Sequence, residues 1–90
     1  MYNIEYTRSF KRDYKLSLKR GYREQLIQNI IILLVNGIAL PAKNKPHKIT
    51  GDYKDCWECH IQPDWLLIWQ ININTNKLIL IRTGTHSDLF

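Results

Sequence analysis

Residues 65–71 read Trp-Leu-Leu-Ile-Trp-Gln-Ile, apolar at every position but one. Turn-forming residues bound the run on both sides, Gln62-Pro63-Asp64 before it and the polar stretch from Asn72 to Asn76 after it. A nearly continuous apolar run of this length, closed at both ends, reads as a buried strand and not as a surface helix. It is the expected centre of a sheet, and the rest of the chain has to supply its neighbours.

Those neighbours can be read off in order. Tyr2-Asn3-Ile4-Glu5-Tyr6 alternates apolar and polar, the period of a half-buried strand. Thr7 or Ser9 can cap a helix that carries Phe10, Tyr14 and Leu18 as an apolar stripe, with Gly21 as its C′ residue. A second helix is expected from Tyr22 to Asn36, with Leu26, Ile30, Leu33 and Leu34 on one face, widened by Ile27 and Ile31 and closed by Gly37 and Pro41. A basic loop, Lys43 to Lys48, and a turn, Ile49 to Asp52, precede three strands: Tyr53–Ile61, Trp65–Ile71 and Leu78–Arg82. The order is β-α-α-β-β-β, an α+β fold with two helices on one face of a mainly antiparallel sheet. The other sheet face is expected to be free, concave and polar. Ninety residues make one domain, 1–90, with no room for a second.

Thirteen Lys+Arg against eight Asp+Glu leave a formal charge of +5, and the pI is near 9.4. A small basic domain suits an anionic partner such as nucleic acid or an acidic protein. Met1-Tyr2-Asn3-Ile4-Glu5 is not a signal peptide, and the longest helical apolar run, Ile30–Val35, is too short to span a bilayer. The expectation is a cytoplasmic protein without a membrane partner. Cys56-Trp57-Glu58-Cys59 has C-x2-C spacing, but in a strand residues three apart point to opposite faces, and no second pair exists. Reduced thiols, one buried and one exposed, are expected, with no metal and no cofactor.

The chemistry concentrates around three histidines, all in the second half. They occur as Lys45-Pro46-His47, as Glu58-Cys59-His60 before Pro63-Asp64-Trp65, and as Arg82-Thr83-Gly84-Thr85-His86 running to Phe90. Histidine titrates near neutrality, so imidazoles beside carboxylates and an arginine can move protons around a phosphodiester. RNA cleavage needs a base for the 2′-hydroxyl, an acid for the 5′-oxygen, and a cation such as Arg82 for the charge that develops. Asp64 or Glu58 can orient an imidazole, and Trp65, Tyr53 or Phe90 can stack on bases. Each residue also has an ordinary reading: His47 solvated, His60 ending a strand, Arg82 in a surface ion pair, Trp65 and Trp69 in the core. Parity puts Glu58 and His60 on one face, yet groups Arg82 with apolar Leu78 and Leu80, a conflict that simple alternation leaves open.

The segments Leu40-Pro41-Ala42, Lys45-Pro46-His47, Glu58-Cys59-His60, Pro63-Asp64-Trp65-Leu66-Leu67-Ile68 and Arg82 to Phe90 resemble those of YafQ-type toxins of the RelE/ParE superfamily, over nearly the whole chain. The resemblance implies a ribosome-dependent endoribonuclease that cuts mRNA in the decoding (70S A) site, and a cognate antitoxin that neutralises it; the acid–base chemistry above requires no metal. The resemblance implies His86 as general acid, His47 or His60 as base, and Asp64 in proton transfer or holding a histidine. Arg82 would meet the scissile phosphate and Phe90 a base, with Lys45, Lys48 and Trp65 making further RNA or ribosome contacts. Glu58 departs from the aspartate often found at its position in relatives, which leaves only a supporting role for it. Two alternatives stand beside this one: a ParE-like inhibitor of DNA gyrase without nuclease activity, and a catalytically inert RNA-binding module.

Overall fold

The computed structural model describes all 90 residues. Strand β1 (Asn3–Tyr6) leads into helices α1 (Arg8–Lys19) and α2 (Glu24–Val35), followed by a short strand β2 (His47–Lys48), strands β3 (Trp57–Gln62), β4 (Trp65–Asn72) and β5 (Lys77–Gly84), and a terminal turn of helix, α3 (His86–Leu89). The strands form one sheet in the order β1-β5-β4-β3-β2, so the apolar run of β4 is its middle. β1 runs parallel to β5, and every other pairing is antiparallel. Two elements were not anticipated: β2, within the basic stretch, and α3.

The helix ends follow local chemistry. Thr7 caps α1 by accepting the Phe10 N–H at 3.1 Å. The C-terminus of α1 closes with Gly21 N–H to Leu18 O at 3.0 Å and Tyr22 N–H to Ser17 O at 3.1 Å. This is a Schellman motif, and it needs the left-handed backbone that Gly21 holds at φ +87°. The buried stripe of α1 is Phe10, Asp13 and Ser17, while Leu18 is 36% exposed. Successive i+4 steps rotate by about 40° at 3.6 residues per turn, so a stripe drawn through 10, 14 and 18 drifts off the core.

Two cores form, one on each sheet face. On the helix side Phe10, Ile27, Ile30, Ile31 and Leu34 pack against Cys59, Trp65, Leu67, Trp69, Leu78 and Leu80. On the other side Cys56, Leu66, Ile68 and Leu89 make a smaller cluster, flanked by Ile49, Tyr53 and Ile81. That second face is therefore partly apolar and partly covered by α3, not free and polar as expected. Both cysteines are buried, in different cores. Burial pushes the Cys59 thiol up to about 12, so it is an inert packing group. Residues 53–56 lie outside β3, which begins only at Trp57 after Asp55 turns at φ +66°.

The conflict over Arg82 is resolved by a bulge. Ile68 pairs with Arg82 but Trp69 pairs with Leu80, so Ile81 is an extra residue in β5. One extra residue reverses alternation. Leu78 and Leu80 face the helices, whereas Arg82 lies across from Ile68 on the opposite face.

Candidate active site

The sheet register sets the candidate groups side by side. Across the strands, His47 pairs with Glu58, Glu58 with Ile68, and Ile68 with Arg82. One step along, His60 pairs with Leu66 and Leu66 with Gly84, after which the chain turns into Thr85 and His86. The bulge between His60 and Gln62 leaves His60 on the same face as Glu58. The face away from the helices thus carries His47, Glu58, His60 and Arg82, with α3 folded beside them.

The rings close a circuit. His60 and His86 lie 5.8 Å apart by centroid, His86 and Phe90 6.5 Å, and Phe90 meets Tyr53 edge-on at 5.7 Å. The Tyr53 hydroxyl accepts from Arg82 Nη1 at 3.2 Å. Phe90 is 63% exposed, so it is not a core plug but an open aromatic surface.

Hydrogen bonds fix the tautomers. His60 Nδ1 lies 3.1 Å from Pro63 O, and a carbonyl can only accept, so Nδ1 carries the proton. Nε2 of His60 then holds the lone pair and makes no hydrogen bond within the chain. His86 Nδ1 lies 2.9 Å from Asp64 Oδ1, and the same oxygen accepts the His86 backbone N–H at 3.0 Å. That backbone N–H, and then the ring, hold the Asp64 carboxyl below its usual range. A carboxylate at Nδ1 orients the ring, and Nε2 of His86 makes no hydrogen bond within the chain. His47 differs. Its Nδ1 is held by Lys45 O at 2.8 Å, and its Nε2 faces Glu58 Oε1 at 3.2 Å, so that nitrogen is already engaged. The other Glu58 oxygen is buried without a partner. Lys45 sits at φ +48°, an uncommon backbone for a non-glycine residue, in the turn that aims its carbonyl at His47.

Two expected RNA contacts do not belong to this face. Trp65 is 2% exposed, packs on Tyr22 at 4.9 Å and donates its Nε1–H to Thr83 Oγ1, so no base can stack on it. Lys48 pairs with Trp57 and lies 5.9 Å over its ring, on the helix side of the sheet, because adjacent residues in β2 point to opposite faces. Lys45 is better placed. With Lys43, Asn44, His60 and Gln62 it lines a groove of about 440 Å³, and Asn44 Nδ2 ties the basic turn to β3 by donating to His60 O at 2.8 Å.

Other groups at the site escaped the sequence reading. Asp13 of α1 pairs with Arg82, Nε to Oδ2 at 2.5 Å, and keeps the guanidinium above its ordinary range. Asp88 accepts from Arg20 Nη1 at 2.6 Å and from the Thr85 backbone N–H at 2.9 Å. Arg20, and then Thr85, hold the Asp88 carboxyl well below the usual carboxylate range. Thr85 and Asp88 form a capping box that fixes α3 and with it His86. The Thr-x-x-Asp spacing was visible in the sequence; the reach of Arg20 across 68 positions was not. Gly84 is required by close approach, since a Cβ there would stand 2.9 Å from Asp88 Oδ2.

Two helices on one face of this sheet, with clustered imidazoles, an arginine and a terminal aromatic on the other, define a RelE-like toxin domain. The family model of the bacterial toxin of type II toxin–antitoxin systems, YafQ, matches residues 2–90, and the chain belongs to that family. It is 38% identical to the mRNA interferase toxin YafQ of Escherichia coli K12 over 90 residues, which span 98% of this chain and 95% of that one. The fold superposes on a metal-bound toxin from Helicobacter pylori with a TM-score of 0.94 and 39% identity, covering all of both chains. It also superposes on YafQ in the E. coli DinJ-YafQ complex, with a TM-score of 0.91 and 35% identity over 100% of this chain and 99% of that one.

Proposed function

We propose that this toxin is an endoribonuclease that cuts mRNA in the decoding site of the ribosome, by acid–base catalysis that needs no metal, in the cytoplasm. The observation that carries the reading is the His60–His86 pair. The two rings lie 5.8 Å apart, each is anchored through Nδ1, and each is left with Nε2 for proton transfer. His60 Nε2 takes the 2′-hydroxyl proton as the 2′-oxygen attacks phosphorus. The bond from phosphorus to the 5′-oxygen breaks, and His86 Nε2 protonates that oxygen, leaving a 2′,3′-cyclic phosphate and a 5′-hydroxyl. Arg82 faces the charge that builds on the phosphoryl oxygens, and Phe90, with Tyr53 behind it, offers a stacking surface for a base. His47, engaged by Glu58, supports the site and does not serve as its base.

The basic surface extends beyond this face. Arg8, Lys11, Arg12, Lys15 and Lys19 are all exposed and turn to the side of α1 opposite Phe10, Asp13 and Ser17. An unbroken row of like charges costs helix stability at each i,i+4 step, which fits a phosphate-rich partner. The E. coli relative is named an mRNA interferase and its YafQ is found with DinJ. By the same token a cognate antitoxin is proposed to silence this chain.

The test maps mRNA 5′ ends by primer extension after brief induction, for wild type and for His86→Gln, and repeats cleavage on purified programmed ribosomes kept in magnesium, with toxin first stripped by excess chelator and dialysed. Discrete cuts within translated messages, lost in the variant and unchanged by the stripping, are expected. Growth arrest without new 5′ ends would turn the reading toward gyrase or another protein target, and loss of cleavage by the stripped toxin, restored by added metal, would reject the metal-free mechanism.

A further inference from the structure

Asp13 is the only acidic residue of α1, and it is 7% exposed. It points inward beside Phe10 and Ser17, not into the basic outer row. A buried carboxylate is costly unless fully engaged. This one accepts Arg82 Nε–H at 2.5 Å on Oδ2, Arg82 Nη2–H at 3.3 Å on Oδ1, and the Thr83 backbone N–H at 3.2 Å on Oδ2. The Thr83 N–H is on the outer edge of β5, past the last β1 pairing of Tyr6 with Leu80. Asp13 therefore closes the open sheet edge next to the bulge and holds the guanidinium by its Nε/Nη2 side.

We propose that Asp13 is a positioning residue for RNA cleavage, one that fixes which edge of Arg82 meets the scissile phosphate. The inference rests on the phosphate role of Arg82 given above. Guanidinium is planar and carries five N–H groups. Asp13 takes one on Nε and one on Nη2, and Tyr53 takes one on Nη1. One N–H then remains on each Nη nitrogen, and that of Nη2 points away from the Nε/Nη2 edge that Asp13 covers. Two N–H groups on neighbouring nitrogens match two phosphoryl oxygens. Without the carboxylate, Arg82 could turn about its side-chain torsions and present any edge.

The experiment is single-turnover cleavage of mRNA on programmed ribosomes by wild type, Asp13→Asn, Arg82→Ala and the double variant, with ribosome binding measured for each. Misplacing a transition-state donor costs on the order of 10²-fold. Asp13→Asn is expected to cleave about 10- to 100-fold more slowly, with ribosome binding within about twofold. The double variant is expected to be no slower than Arg82→Ala alone, because the carboxylate acts only through that guanidinium. Wild-type cleavage by Asp13→Asn, or effects that multiply in the double variant, would overturn the positioning role while leaving Arg82 in place. Full cleavage by Arg82→Ala would remove the phosphate role and the positioning role together. Should Asp13→Asn not fold, the wild-type protein still decides. Its Arg82 Nε–H should exchange with water far more slowly than those of exposed Arg8 and Arg12 by ¹⁵N NMR, and equal exchange would overturn the proposal.

Discussion

Replacing Thr83 by valine removes one hydroxyl and keeps the side-chain shape. Thr83 is 1% exposed, so the change happens in a dry place. Its Oγ1 donates to Leu66 O at 2.7 Å and accepts Trp65 Nε1–H at 3.0 Å. Valine leaves the indole N–H without an acceptor under the helices, a buried unsatisfied donor that costs about 1–3 kcal/mol. The Leu66 carbonyl loses one donor, a smaller cost of about 1 kcal/mol. No cavity forms and the extra methyl offsets part of the loss, so a net destabilisation of about 2 kcal/mol is expected. For a domain of this size that lowers the thermal midpoint by about 8–16 °C and, with a urea m-value of about 1.5 kcal/mol/M, the midpoint by about 1.3 M at unchanged m. Urea and thermal unfolding followed by tryptophan fluorescence read both. Thr83→Ser, which keeps the hydroxyl and loses only a methyl group, should cost about half as much. A valine variant as stable as wild type, or a serine variant weaker than the valine one, would refute the claim that this hydroxyl joins the start of β4 to the end of β5.

Gly84→Ala should damage activity more than stability, because its Cβ would push Asp88 away from Arg20 and Thr85 and move His86 with α3; cleavage should fall at least about 10-fold, and a fully active variant would count against the clamp. The Asp88 clamp also sets an acid limit. A carboxyl held low in the folded state stabilises it above the unfolded value of about 3.9, and the contribution is lost as pH falls further. Protection of the Thr85 and His86 amides, taken relative to their intrinsic exchange rates, should therefore hold at pH 5 and fall only below about pH 4, and in Arg20→Ala it should be low throughout; loosening already near pH 6 would contradict the Arg20–Asp88 assignment.

Much of the fold was legible because it depends on neighbours in sequence. The run Trp65–Ile71 lies in the middle strand, Thr7 caps α1, and Gly21 sits where the chain needs a left-handed residue. The α-α pair and the strand order along the chain follow from periods of 3.6 and 2. The element ends were less legible: α3 is a single turn, and β2 has two residues that exist as a strand only because Glu58 and Trp57 pair with them. Of the candidate site, His47, His60, Asp64, Arg82, His86 and Phe90 could be named as residues of the right chemical type. Trp65 could be read as core or as base platform, and only its burial against Tyr22 decided for core.

What the sequence determined by itself is which side chains this protein owns and the local periods that make helices and strands of them. What tertiary structure decided is which face each side chain takes and which atom it offers. One extra residue at Ile81 turns Arg82 away from Leu78 and Leu80, and pairing in β2 sends His47 and Lys48 to opposite sides. Carboxylates from other segments engage Nε2 of His47 and Nδ1 of His86, whereas His60 is held at Nδ1 by the nearby Pro63 carbonyl. Alternation is a rule about adjacent residues, whereas register, bulges and hydrogen-bond partners are settled between strands far apart in the chain, by whichever pairing leaves the fewest buried polar groups unsatisfied.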